Sequence, residues 1–163
     1  MFINKRYAQA LVAFRRAGRD REVKICNAYL LREKARLVST AASAARIRAF
    51  ITAANAFIAC AQDSPKQRVN EYLAYHGEAG ECYLEARDPK NAGDNYLIAE
   101  QYGAAGCVYL EGEHFGQLAE VITRYGRVIK IKDGDGLLER LTTAARMHYS
   151  KVYLHTRLVS RYV

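Results

Sequence analysis

The sequence predicts an all-α chain, an irregular solenoid of antiparallel helical hairpins with about eight helices. Three observations carry this. AGECYLE at 79–85 and AGCVYLE at 105–111 repeat Ala-Gly-x-x-Tyr-Leu-Glu at a spacing of 26, and a fixed period in that range marks a repeat protein. Large and small side chains alternate at offsets of 3, 7 and 10 residues in four places, as in Phe50, Ala53, Phe57 and Cys60, which places them on one helical stripe. Only 2 prolines occur in 163 residues, leaving long stretches free for helix.

The elements follow in order. Tyr7, Ala10, Phe14 and Ala17 form the first stripe, with Gly18 as a C-terminal stop and Asp20 as the cap of a helix beginning at Arg21. Phe50 to Cys60 repeats the stripe 43 residues later, and Ser64-Pro65 reads as a cap followed by a first-turn proline. Arg87-Asp88-Pro89 is a tight turn into a helix over about 89–100 that carries Ala92, Tyr96 and Ala99. Gly112 separates the next two helices. Phe115, Leu118, Ile122 and Tyr125 form the fourth stripe, ended by Gly126. The segment 126–136, GRVIKIKDGDG, reads as a connector, with a short strand at 128–131 as the competing reading. A final helix over about 137–160 carries Leu138, Leu141, Ala145, His148, Val152 and Arg157 at helical spacing, and its apolar members would cap the stack.

An Ala-Gly-x-x-Tyr helix, a short turn and a second helix with aromatic-x2-Ala-x3-aromatic-x2-Ala resembles the tetratricopeptide repeat. Residues 74–126 match both helices twice: Gly80 and Tyr83 with Ala92, Tyr96 and Ala99, then Gly106 and Tyr109 with Phe115, Leu118 and Ile122. Earlier copies match only in the second helix. The family period is 34, whereas the spacings here are 43, 42 and 26, and no Trp leads a copy. The resemblance implies an irregular, tetratricopeptide-like α-solenoid, one helical repeat domain over 1–163. Because the chain opens inside what reads as the turn before a second helix, a fragment of a longer protein is expected. A weaker resemblance, carried by Tyr7-x2-Ala-x3-Phe-x2-Ala-Gly and Ala28-Tyr29-Leu30-Leu31-Arg32-Glu33-Lys34-Ala35, is to helical repeats in large proteins that carry a UvrD-like superfamily 1 helicase, including those combining tetratricopeptide and ankyrin repeats. It implies a helicase-associated accessory piece, with the ATP and nucleic-acid sites outside this chain.

Composition bounds the function. No apolar leader follows Lys5 and Arg6. The most apolar stretch, 41–61, is broken by Arg46, Arg48 and Asn55, so no membrane span is expected. Cys26, Cys60, Cys82 and Cys107 lack metal-ligand spacing and read as reduced apolar side chains of an intracellular protein, in cytoplasm or nucleus. Phosphate-loop, dinucleotide, nucleophile-elbow and zinc-protease motifs are absent from the sequence. His76, His114, His148 and His155 are scattered and read as surface or groove side chains. Asp133-Gly134-Asp135-Gly136 lacks the calcium-loop ligands, since Ile131 and Thr142 stand where acids are needed. The pairs Glu78/Glu81 and Glu81/Glu85 have no enclosing cleft chemistry. The expectation is no enzyme, no cofactor and no metal.

Charge is segregated. Residues 1–48 carry 12 Lys and Arg against 3 Asp and Glu, residues 49–123 carry 4 against 11, and residues 124–163 carry 9 against 3. Such blocks either steer partners or help neighbouring helices dock. Two functions follow. The first is a protein-binding scaffold. The tetratricopeptide resemblance implies that Ala74, Gly77, Glu81, Leu84, Glu85, Glu100, Gly103, Cys107, Leu110 and Glu111 line a concave groove, suited to an apolar or basic peptide or to the parent chain. The second is accessory nucleic-acid binding through Arg15, Arg16, Arg19, Arg21, Lys24, Arg32, Lys34 and Arg36. The oligomeric state is open.

Overall fold

The computed structural model describes residues 2–40, 43–64 and 68–159. Among these described residues eight helices run α1 (Phe2–Arg16), α2 (Asp20–Leu37), α3 (Ser43–Gln62), α4 (Val69–Glu85), α5 (Pro89–Ile98), α6 (Tyr102–Glu111), α7 (Phe115–Asp133) and α8 (Asp135–Val159). No strand occurs among the described residues, so the chain is all-α. It divides into two units, Met1–Glu100 and Gln101–Val163.

In the first unit each helix packs on its neighbours in the chain: α1 on α2, α2 on α3, α3 on α4 and α4 on α5. The second stripe supplies the centre. Phe50, Ala53 and Phe57 are fully buried and Cys60 nearly so, because their spacing turns all four toward one side of α3. Each such phenylalanine contributes roughly 1.5–3 kcal/mol on burial. The first stripe is shallower: Tyr7 and Phe14 are half-buried, and the Tyr7 ring lies parallel to Tyr29 at 4.9 Å. By length and hydropathy α3 alone among the described helices could cross a membrane, with mean hydropathy 1.3 over its best window. Here its apolar face is turned against α2 and α4.

The turns after α1, α4, α5 and α6 share a left-handed residue. Gly18, at φ 65°, lets the Arg19 N–H reach the Phe14 carbonyl at 2.9 Å while its own N–H donates to the Arg15 carbonyl at 3.2 Å, the pair of hydrogen bonds that closes a helix end. Arg87, Glu100 and Glu113 all sit at φ 58° and stand 13 residues apart. At Arg87 and Glu113 the same closure forms, from Asp88 N–H to Tyr83 at 2.9 Å and from His114 N–H to Tyr109 at 2.8 Å. The recurring unit is therefore one ten-residue helix, as in α5 and α6, and a three-residue turn. Its middle copy is Ala92-Gly93-Asp94-Asn95-Tyr96-Leu97, which the 26-residue spacing steps over.

Several expectations are corrected. The segment 126–136 is not a connector: α7 runs through Gly126 to Asp133, because Ile129 is fully buried and packing outweighs the β-branched run. The break is at Gly134 alone, φ 91°. Asp20 lies inside α2, whose N-cap is Arg19 without a side-chain bond; with Glu22 it places negative charge in the first turn. The Ser64 hydroxyl donates back to the Cys60 carbonyl at 3.0 Å, closing α3 instead of capping α4; Pro65 lies outside the described residues. Gly112 does separate α6 from α7, as the C-cap of α6 at φ −85°, and the left-handed position next to it falls on Glu113. The expected turn at 87–89 stands as anticipated: the Asp88 carboxylate accepts from the Asn91 N–H at 3.1 Å, with Pro89 in the first turn.

In the second unit α6 packs on both α7 and α8, and α7 on α8. Tyr109, Leu118, Val121, Ile129 and Leu141 form its core. The Tyr102 and Tyr125 rings stack at 4.0 Å, and Phe115 stacks on His148 at 3.7 Å. Gly106 lies where a Cβ would meet Leu141 Cδ1 at 2.7 Å, and Gly103 is closed over by Asp133 and Leu137. Both glycines bring α6 close to its neighbours.

Candidate functional site

The basic first third and the acidic middle meet each other. Arg21 of α2 donates to the Glu71 carboxylate of α4, and Lys24 to Asp63 at the end of α3. Arg32, one helical face further along α2, donates to Glu78 and lies 3.7 Å from Glu81. Arg46 of α3 pairs with Glu85 at 3.1 Å and lends its other amino group to the Val38 carbonyl at 3.3 Å. Their α4 carboxylates, Glu71, Glu78 and Glu85, recur every seven residues and so share one face of that helix.

Arg32 is the centre of the set. Its side chain is only 13% exposed, and its guanidinium lies over Tyr29 at 5.2 Å and Phe57 at 5.7 Å. Glu78 is 26% exposed, so this half-buried pair falls between fully buried pairs, which cost about 3–5 kcal/mol when one partner goes, and exposed ones, which contribute about 0–1 kcal/mol. The hydrogen bond from Arg21, reinforced by its charge, holds the Glu71 carboxyl below the usual carboxylate range. The carboxylates Glu78, Glu81 and Glu85 are thus partners of arginines, an arrangement unlike an acid–base couple.

Between α2, α3 and α4 lies a depression of about 170 Å³ lined by Arg32, Arg36, Phe50, Glu81, Cys82, Leu84 and Glu85. Leu84 is 41% exposed on its wall, and burial pushes the Cys82 thiol up to about 11. The structure thus brings together Glu81, Leu84 and Glu85 of the expected groove. Ala74 is exposed on α4, while Gly77 is buried within the same helix, and Glu100 stands in the turn after α5. In the second unit Gly103 is buried beneath Asp133 and Leu137, Leu110 is half-buried and Glu111 exposed. Cys107 is half-buried, with Arg140 Nη2 at 3.4 Å from its sulfur.

The expected nucleic-acid patch is dispersed by the same pairing. Arg21, Lys24 and Arg32 face carboxylates of other segments, while Arg19 and Arg36 pair within α2 or its cap. Arg15, Arg16 and Lys34 are exposed, and no ion pair is recorded for them among the described residues.

Sequence reasoning missed Phe50, Arg46 and Glu71 as members of this region. The signal was present as two charge blocks of opposite sign, but not the register that joins positions 50 apart. His76 also departs from expectation: it is buried, with Nδ1 at 2.8 Å from Asn95 Oδ1. His114 precedes α7 as its N-cap residue, and the side chain of His155 lies outside the described set. No group of three His, Cys, Asp or Glu side chains is placed to hold a metal among the described residues. Comparison with known proteins finds no matching family model, curated protein or solved structure.

Proposed function

We propose that the chain is a non-catalytic protein-interaction module, a tetratricopeptide-like α-solenoid in which the Phe50–Leu84 depression receives an apolar or basic peptide segment. The observation that carries this is Leu84, 41% exposed, between Glu81 and Glu85, whose side chains remain 58% and 50% exposed despite their arginine partners. An incoming apolar side chain meets the exposed Leu84, and a neighbouring Lys or Arg meets the two carboxylates. The solenoid reading draws support from the 13-residue recurrence of helix and turn. Four free cysteines suit a reducing, intracellular setting.

The test is fluorescence anisotropy of labelled peptides against the full chain. Leu/Lys-rich peptides are expected to bind more tightly than Leu/Glu-rich ones, with the preference lost in Glu81→Gln/Glu85→Gln and affinity lost in Leu84→Asp. Acidic peptides that outcompete basic ones would overturn it.

The second reading is a nucleic-acid accessory role within a UvrD-like helicase, favoured by the exposed Arg15, Arg16 and Lys34. Its test is oligonucleotide binding as a function of salt, with those three changed to Gln. Three phosphate contacts would give a salt slope of about −3 on logarithmic axes.

A further inference from the structure

The second unit carries another concavity of different character. α7 and α8 lie antiparallel in a fixed register, with the Tyr149 hydroxyl donating to the Phe115 carbonyl at 3.3 Å and Lys130 paired with Asp135 at 3.1 Å. Leu137, Arg140 and Leu141 of α8 lie against α6. A separate set, including Thr142, Ala145, Arg146 and Tyr149, faces Ala119 and Ile122 across a groove of about 430 Å³. The groove therefore lies on a flank that α6 leaves uncovered. Its floor is of small and apolar side chains, and Tyr149 stands 47% exposed at one end.

One feature sets the chemistry of an occupant. Arg146 is the charged residue of the lining, and no carboxylate among the described residues is paired with it. Arg127, one turn beyond Thr123 on α7, is exposed and likewise without a recorded ion pair. On the same helix, Glu120 is held by Arg124 at 3.0 Å. A floor of small side chains between two antiparallel helices accepts the ridge of a third helix, as α6 already shows on the other flank through Gly103 and Gly106.

We propose that the α7–α8 groove docks an amphipathic helix of a partner protein, one whose apolar stripe is flanked by acidic residues that meet Arg146 and Arg127. This surface is independent of the Phe50–Leu84 depression and has the opposite charge preference. Buried between helices, the apolar stripe supplies the affinity; the carboxylate–arginine contacts fix direction and reject basic helices.

The test uses two synthetic helical peptides with the same Leu/Ala stripe, one flanked by Glu and one by Lys, titrated by anisotropy into the full chain. The Glu peptide is expected to bind about tenfold more tightly than the Lys peptide. Arg146→Glu, at an exposed position, should reverse that order, and Thr123→Arg should block both peptides by filling the groove. Leu84→Asp should leave them unchanged, which separates this site from the first-unit depression. Equal binding of the two peptides, or none, would overturn the proposal. So would dimerisation of the chain alone in sedimentation equilibrium, if Thr123→Arg abolishes it, since the occupant would then be a second copy.

Discussion

At Gly80 a single added methyl group would sit 2.8 Å from the Tyr96 ring and 3.3 Å from the Ala92 carbonyl. The carbonyl belongs to backbone and cannot swing away, so Gly80→Ala must push α4 and α5 apart. Chemical denaturation should show a loss of about 1–3 kcal/mol. Gly116 is the contrast: it is exposed in the first turn of α7, and a Cβ there meets nothing within 4 Å. Gly116→Ala should stabilise by about 0.4–1 kcal/mol in the same measurement. The close approach at Gly80 was legible in the sequence, because Ala-Gly beside a recurring Tyr already pointed to helices nestling together. The burial of His76 was not, since its partner Asn95 lies on the next helix, 19 positions on, and nothing local marks the pair.

At the scale of elements, the three-residue turns hold non-glycine residues in the left-handed region, where a Cβ is strained. Arg87→Gly should therefore stabilise by roughly 0.5–1 kcal/mol, read as a raised midpoint in urea; a lowered midpoint would mean that Arg87 contributes contacts outweighing its strain. Gly112 marks the turn between α6 and α7 as the sequence indicated, but nothing local shows that the left-handed position falls on Glu113. The β-branched run at 128–131 misled, since burial of Ile129 decides its conformation and local preference does not. The α2–α4 link titrates. Glu71 has its folded pKa depressed by Arg21, so its contribution is present above the unfolded carboxylate value, about 4.3, and lost as pH falls through the folded value. Between about pH 6 and pH 3 the wild type should lose more thermal stability than Glu71→Gln, measured as the melting temperature across that range.

On the scale of the whole molecule, the blocks of like charge were plain in the sequence, as were the eight helices and the all-α class. What the blocks do was not plain, because pairing across α2, α3 and α4 depends on how the helices pack. In the first unit opposite charges meet, and a surface that reads as a polyanion patch along the chain is largely occupied by its own carboxylates. The most direct test of this account is a double-mutant cycle on Arg32 and Glu78, using Arg32→Met, Glu78→Gln and the pair, followed by urea unfolding. The account predicts that the two losses are strongly non-additive, with a coupling of about 1–3 kcal/mol. Losses that add to within about 0.5 kcal/mol would contradict it and return the arginines of α2 to the solvent.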